Sequence, residues 1–178
     1  MNCVYKITRQ VLLVLSLLFF ISSNITSCKK EETKESIKPE VVSLASFTES
    51  MTLVNAARTS GYKFSDDKYF TAVKELKWNA VLAKAAQKHA QDMQDKNYFS
   101  HTGKDGSKPW DRVVREGYTY SYCGENIAEG YDSEKAVING WLHSEGHCAN
   151  IMNDKFTEIG MGRSSDGKYW VQVFAAPQ

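Results

Sequence analysis

Between Asn79 and Lys96 the chain carries one apolar stripe at helical spacing, and in its last third the period changes to that of strands. Any fold has to accommodate both. Asn79 is placed to cap the helix, and Leu82, Ala85, Ala86, His89 and Met93 fall on one face. Phe156 to Arg163 and Tyr169 to Ala175 are short and rich in aromatic and β-branched residues, and Ser164-Ser165-Asp166-Gly167 between them predicts a hairpin turn. A further helix is predicted from Thr48 to Ser60, where Leu53, Ala56 and Ala57 recur at helical spacing and Gly61 is a natural stop. Shorter helices are expected over Ser107–Glu116 and over Ser133–Leu142 with Ser133 as cap, and an extended segment over Tyr118–Ile127. Helices before and between strands indicate an α+β sandwich.

The first residues read as an address. Lys6 and Arg9 form a short positive region, and Val11 to Ile21 is apolar apart from Ser16. The run falls short of the roughly 20 apolar residues a membrane span needs and has the flanks of a signal peptide. Ile25-Thr26-Ser27-Cys28 resembles the bacterial lipobox, in which the signal is cut before the cysteine and its thiol accepts the lipid. The expected organisation is a signal peptide at 1–27, a lipidated Cys28 with a charged tether over 28–46, and one folded domain over 47–178. Such a protein is expected to be exported and held on the cell membrane or outer membrane through Cys28, with surface exposure as one placement. The 22 basic and 21 acidic residues of the whole chain nearly cancel, and no Lys/Arg block stands out, so nothing favours nucleic acid as a partner.

Within the folded part a longer pattern is legible. It runs through Asn55-Ala56-Ala57-Arg58, Leu76-Lys77-Trp78-Asn79, His89-Ala90, Phe99-Ser100-His101, Gly124-Glu125-Asn126-Ile127-Ala128, Trp141, Gly146-His147 and Tyr169 to Phe174. This ordered set resembles the CAP superfamily of cysteine-rich secretory, antigen-5-like and pathogenesis-related proteins, in its bacterial SCP-like branch. The resemblance implies a three-layer α-β-α sandwich around a central antiparallel sheet. It also implies a cleft lined by two histidines, matched by His101 and His147, and by acidic residues, the first matched by Glu125. Ser144 stands where eukaryotic members carry the second Glu; Glu145 is adjacent, but neighbouring residues point different ways.

Two imidazoles and a carboxylate form a sensible divalent-metal set, zinc first by ligand type, with His101, His147 and Glu125 as its ligands. The same groups could serve as general acid and base, or order loops without metal or turnover. The leading reading is a binding module for a small ligand, metal ion, lipid, peptide or envelope partner. The alternative is a hydrolase of peptide, lipid or envelope polymer acting through metal-bound or His-activated water. His143 and His147 stand four residues apart, as in zinc proteases, but the Glu is misplaced; His143 reads as a rim residue and His89 as a satisfied core histidine. Cys123 and Cys148, in an exported domain and beside Glu125 and His147, are expected to form a disulfide contributing about 3 kcal/mol; the rival is Cys148 as a nucleophile. Trp110 is the tryptophan expected at the surface, and Arg112 and Arg115 read as solvated helix charges.

Overall fold

The computed structural model describes residues 44–178. The expected signal peptide, Cys28 and most of the expected tether lie outside the described residues. Leu44–Phe47 forms a 3-10 turn, and Phe47 is buried against Trp78, so the folded domain includes Leu44–Ser46, which were expected as tether.

The elements in order are α1 (Thr48–Ser60), β1 (Tyr62–Lys63), β2 (Tyr69–Phe70), β3 (Lys77–Trp78), α2 (Ala80–Asp95), α3 (Pro109–Arg115), β4 (Tyr120–Glu129), α4 (Glu134–Leu142), α5 (Glu145–Ile151), β5 (Glu158–Arg163) and β6 (Tyr169–Pro177). Two caps were legible. The Asn79 side chain accepts from the N–H groups of Val81 and Leu82 (2.8 and 3.2 Å), and the Ser133 hydroxyl accepts from Ala136 N–H. The Asp-Gly turn forms as expected, with Gly167 at φ 77°. The region after Leu142 differs: His143 and Ser144 break the helix, and a new one starts at Glu145.

The main sheet has the order β3-β5-β6-β4. It is antiparallel at β5–β6 and β4–β6, while the short β3 joins β5 in parallel, a local departure from the expected all-antiparallel sheet. β6 is buried from Tyr169 to Ala176, so it needs cover on both faces. Tyr169, Val171, Val173 and Ala175 pack with Leu82, Ala86 and Met93 of α2 and Val113 of α3. Trp170 and Phe174 point the other way, into a core with Val54, Trp141, Cys148 and Ile151 from α1, α4 and α5. The result is the α-β-α sandwich.

Two close approaches hold the layers. A Cβ on Gly160 would lie 2.0 Å from Ala83 N, and one on Gly162 would lie 2.3 Å from Gln87 Cα, so α2 rides directly on the backbone of β5. On the other side Arg58 is fully buried and donates to the carbonyls of Lys74, Ile151, Asn153 and Phe156 at 2.6–3.2 Å. Burial lowers its pKa to about 10, which leaves it charged at neutral pH. It ties α1 to the loop that follows α5. Gly160→Ala is expected to destabilise the fold by about 3 kcal/mol through overpacking. Gly146→Ala, whose Cβ meets nothing within 4 Å in α5, should be neutral or stabilising. Urea unfolding of both variants checks the contrast.

Candidate functional site

Alternation along β4 decides what reaches the cleft. Cys123, Glu125 and Ile127 face the α2–α3 layer, while Asn126 and Ala128 face the α1–α4–α5 layer. The Glu125 carboxylate is buried, with its side chain 1% exposed. Both of its oxygens are occupied. His101 Nδ1–H donates to Oε1 at 2.7 Å, and Arg112 donates to Oε2 at 2.7 Å. Arg112 also donates to the carbonyls of His101 and Ser107, each at 3.0 Å. One guanidinium therefore fixes both the carboxylate and the backbone that carries His101. The imidazole of His101 is half exposed, and its Nε2 makes no hydrogen bond within the described residues.

Arg112 is not the solvated charge expected. Pro109, Arg112 and Val113 form the buried face of α3, an i, i+3, i+4 stripe that was readable in the sequence. Arg115, on the other face, pairs with Asp105 in the open, as expected.

His147 comes from α5 and does not reach Glu125. Its Nδ1 shares a hydrogen bond of 2.8 Å with the Ser144 hydroxyl, so the serine in place of an acidic residue holds the imidazole. Burial, and then the charge of His101, push the His147 pKa below its ordinary value, which places the two imidazoles within electrostatic reach. α5 is pinned to β4 by amides: Asn126 Nδ2 donates to His147 O and to Gln172 Oε1, and Asn150 Nδ2 donates to Glu125 O and to Asn126 Oδ1. Glu145 turns away to an ion pair with Lys68 and takes no part in the cleft.

The cleft itself is a cavity of about 310 Å³, lined by His101, Thr102, Lys108, Trp110, Cys123 and Glu125 among others. Trp110 is 46% exposed at its rim. Pro109 starts α3, and Asp111 accepts from the Lys108 N–H (2.8 Å), which sets the indole beside His101.

Two expectations need correction. Cys123 and Cys148 are free thiols, not a disulfide. Cys123 packs in the α2–α3 layer and Cys148 in the core on the opposite face of the sheet, so the parity of β4 separates them. Burial, with the Glu125 charge, pushes the Cys123 thiol up to about 12, and burial pushes Cys148 up to about 11; neither supplies a thiolate at neutral pH. His143 and His147 sit on different helices, in keeping with the rejected zinc-protease spacing: exposed His143 caps α4, with its Nδ1 on Asn139 O, and His147 belongs to α5. Among the described residues no three His, Cys, Asp or Glu side chains gather at metal-ligand range. With Glu125 committed to Arg112 and His101, the three-ligand zinc set does not fit this arrangement. His89 is a core residue, as expected, 1% exposed with Nε2 on Ser100 O, but it is not fully satisfied, since its buried Nδ1 has no hydrogen-bond partner.

Residues 51–174 match the family model described as "CAP: Cysteine-rich secretory protein family". The "Uncharacterized protein YkwD" of Bacillus subtilis (strain 168) is 41% identical over 102 residues, 57% of this chain and 40% of its own. The chain spans less than half the length of the curated relatives it matches. Among solved structures, an extracellular protein containing a SCP domain from Bacillus anthracis str. Ames superposes with TM-score 0.63 at 31% identity, covering 74% of this chain and 40% of that one. NaASP2, solved with Zn2+, superposes with TM-score 0.53 at 16% identity over 76% of this chain and 82% of its own, a likeness of fold alone.

Removing Arg112 leaves a buried carboxylate unpaired. Arg112→Met is expected to cost about 3–5 kcal/mol, and pairing it with Glu125→Leu should restore a large part. A double-mutant cycle by urea unfolding reads the coupling directly.

Proposed function

Since the chain belongs to the cysteine-rich secretory protein (CAP) family, we propose that it is an exported, lipid-anchored binding module of the cell envelope. Its ligand, a small molecule or a partner segment, enters the cleft beside His101. The observation that carries this reading is the Glu125 carboxylate, buried and held at both oxygens. Such a group is a fixed support. It orients His101, with Nε2 unbonded within the described residues, next to an exposed indole and the ammonium of Lys108. An acceptor nitrogen, an aromatic face and a cation around one cavity suit a ligand that is part apolar and part polar.

The similar extracellular protein from Bacillus anthracis supports export. The apolar run and Ile25-Thr26-Ser27-Cys28 support an anchor at Cys28. Zinc, present with the distant neighbour, would find here the two imidazoles of His101 and His147 without a third ligand, so the reading does not depend on metal.

Titrating the mature domain with peptidoglycan fragments, short peptides and phospholipid vesicles, followed by amide NMR shifts, tests the cleft. Shifts should cluster at His101, Thr102, Lys108, Trp110 and Gly124 and persist in chelator. Trp110→Ala, at a half-exposed side chain, should keep the melting temperature and weaken binding at least tenfold, about 1.4 kcal/mol; His101→Ala should weaken binding as much and also lower stability by about 1–3 kcal/mol, because it removes the donor to a buried Glu125 oxygen. Shifts confined to another surface, or turnover of a fragment that disappears in His101→Ala, would replace the binding reading. For the anchor, Cys28→Ser should move the protein from the membrane pellet to the soluble fraction and abolish palmitate labelling; a variant that stays labelled rules out Cys28.

A further inference from the structure

The cleft lies along an edge of the main sheet. β4 is a terminal strand, paired with β6 on one side only. The register fixes which of its backbone groups face outward. Thr157 N–H donates to Ala175 O and Ser164 N–H to Tyr169 O, so the odd-numbered residues of β6 point to β5 and the even-numbered ones to β4. Phe174, Gln172 and Trp170 therefore bond Gly124, Asn126 and Ala128. Cys123, Glu125 and Ile127 turn their N–H and C=O groups away from the sheet.

The two ends of that edge differ. Toward Ile127 it is closed: Trp141 donates to Ile127 O, Asn150 donates to Glu125 O, and the strand is buried from Glu125 to Ala128. At Cys123 it is open. Cys123 and Gly124 are half-buried and line the cleft beside Trp110. No group among the described residues bonds the Cys123 N–H or C=O. An open edge is a template for another strand, and this one, closed at one end and set in a recess, admits a short extended segment.

Cations flank the opening on both faces of β4. Lys108 and Trp110 stand on the α3 side. Tyr122 shares the other face with Gly124, whose added Cβ would meet Phe156, and Lys155 Nζ lies over the Tyr122 ring at 4.9 Å. Lys108 Nζ donates to the Thr102 hydroxyl, and neither ammonium pairs with a carboxylate among the described residues. The carboxylates nearby are engaged: Glu125 with Arg112 and His101, Asp111 with the Lys108 N–H, and Asp154 within electrostatic reach of Arg58. A second copy pairing edge to edge would bring the same lysines against each other. A separate strand alternates its side chains between the two faces, so neighbouring residues meet one lysine each.

We propose that the open edge of β4 at Cys123 adds an extended peptide segment with two adjacent acidic residues, one carboxylate meeting Lys108 and the next Lys155. The peptide backbone exchanges hydrogen bonds with the Cys123 N–H and C=O, and the lysines select its charge. This rests on the binding reading of the cleft and narrows its ligand to a peptide strand.

The test uses the mature protein in its lipid-free form and the peptide Ac-Thr-Val-Glu-Glu-Val-Thr-NH2, with calorimetry for affinity and amide hydrogen exchange for location. The peptide should bind and slow exchange of the Cys123 amide at least tenfold, while the Gly124 amide, already bonded to β6, changes less. A peptide with Gln for both Glu should bind at least tenfold more weakly. Two series N-methylated at alternate peptide amides should differ: methylation on the β4-facing side abolishes binding, and on the other side leaves it intact. The exposed double variant Lys108→Gln, Lys155→Gln should keep its melting temperature and weaken the acidic peptide at least tenfold. Equal binding of the two methylated series, or binding that leaves the Cys123 amide unprotected, would overturn strand addition. Peptidoglycan fragments or vesicles that shift the cleft amides while no peptide protects Cys123 would overturn it and leave the binding reading standing. Protection of Cys123 that grows with protein concentration alone would overturn it in favour of a second copy.

Discussion

A strand buried on both faces cannot be covered by one layer, and β6 imposes that constraint on the rest of the chain. Its side chains alternate between two cores, one capped by α2 and α3, the other by α1, α4 and α5. The pairing of β4 with β6 passes the alternation on, Glu125 opposite Val173 and Asn126 opposite Gln172. Neighbouring residues in one short motif thus acquire opposite duties. Glu125 builds the cleft with α3 and the loop before it. Asn126 joins Gln172 and Asn150 in a buried amide network that fixes α5.

The cleft rests on an ion pair that stability alone does not favour. A buried Arg–carboxylate pair often contributes little beyond an apolar replacement, because both charges lose their hydration. This one is completed by three further hydrogen bonds, from His101 to Glu125 and from Arg112 to two carbonyls. Every strong acceptor of Glu125 is used, which gives the geometry a single solution. The half-exposed groups, His101 and Trp110, therefore stand on a rigid base, and little ordering cost is left for binding.

What could be read from the sequence was local. Asn79 and Ser133 announced their caps, the stripe from Leu82 to Met93 announced α2, and Asp166-Gly167 announced the turn. What escaped was set by partners distant in the chain. Arg112 carries no label as a buried residue apart from its spacing with Pro109 and Val113; only the strand that brings Glu125 beside it makes burial tolerable. The two cysteines sit beside residues of one cleft, and adjacency suggested a bridge, but Cys123 shares the α2–α3 face of β4 with Glu125 while Cys148 points from α5 into the core on the other face of the sheet. The helix at Glu145 was obscured by Gly146, a poor helix former that α5 tolerates near its first turn because Asn150 and Ile151 hold its far end.

The side chain that holds Glu125 at the cleft also lines the cavity between α2 and α3. Arg112 reaches Glu125 and the His101 backbone on one side and lines the α2–α3 cavity on the other. Any occupant that draws the guanidinium toward α2 lengthens its bonds to Glu125, and any ligand that tightens the His101–Glu125 pair holds Arg112 away from α2. Linkage requires the two effects to be equal in free energy. Coupling of this kind needs no moving domain, only one charged group shared by cleft and cavity, and the shielding of Arg112 from water keeps its charge from being screened away.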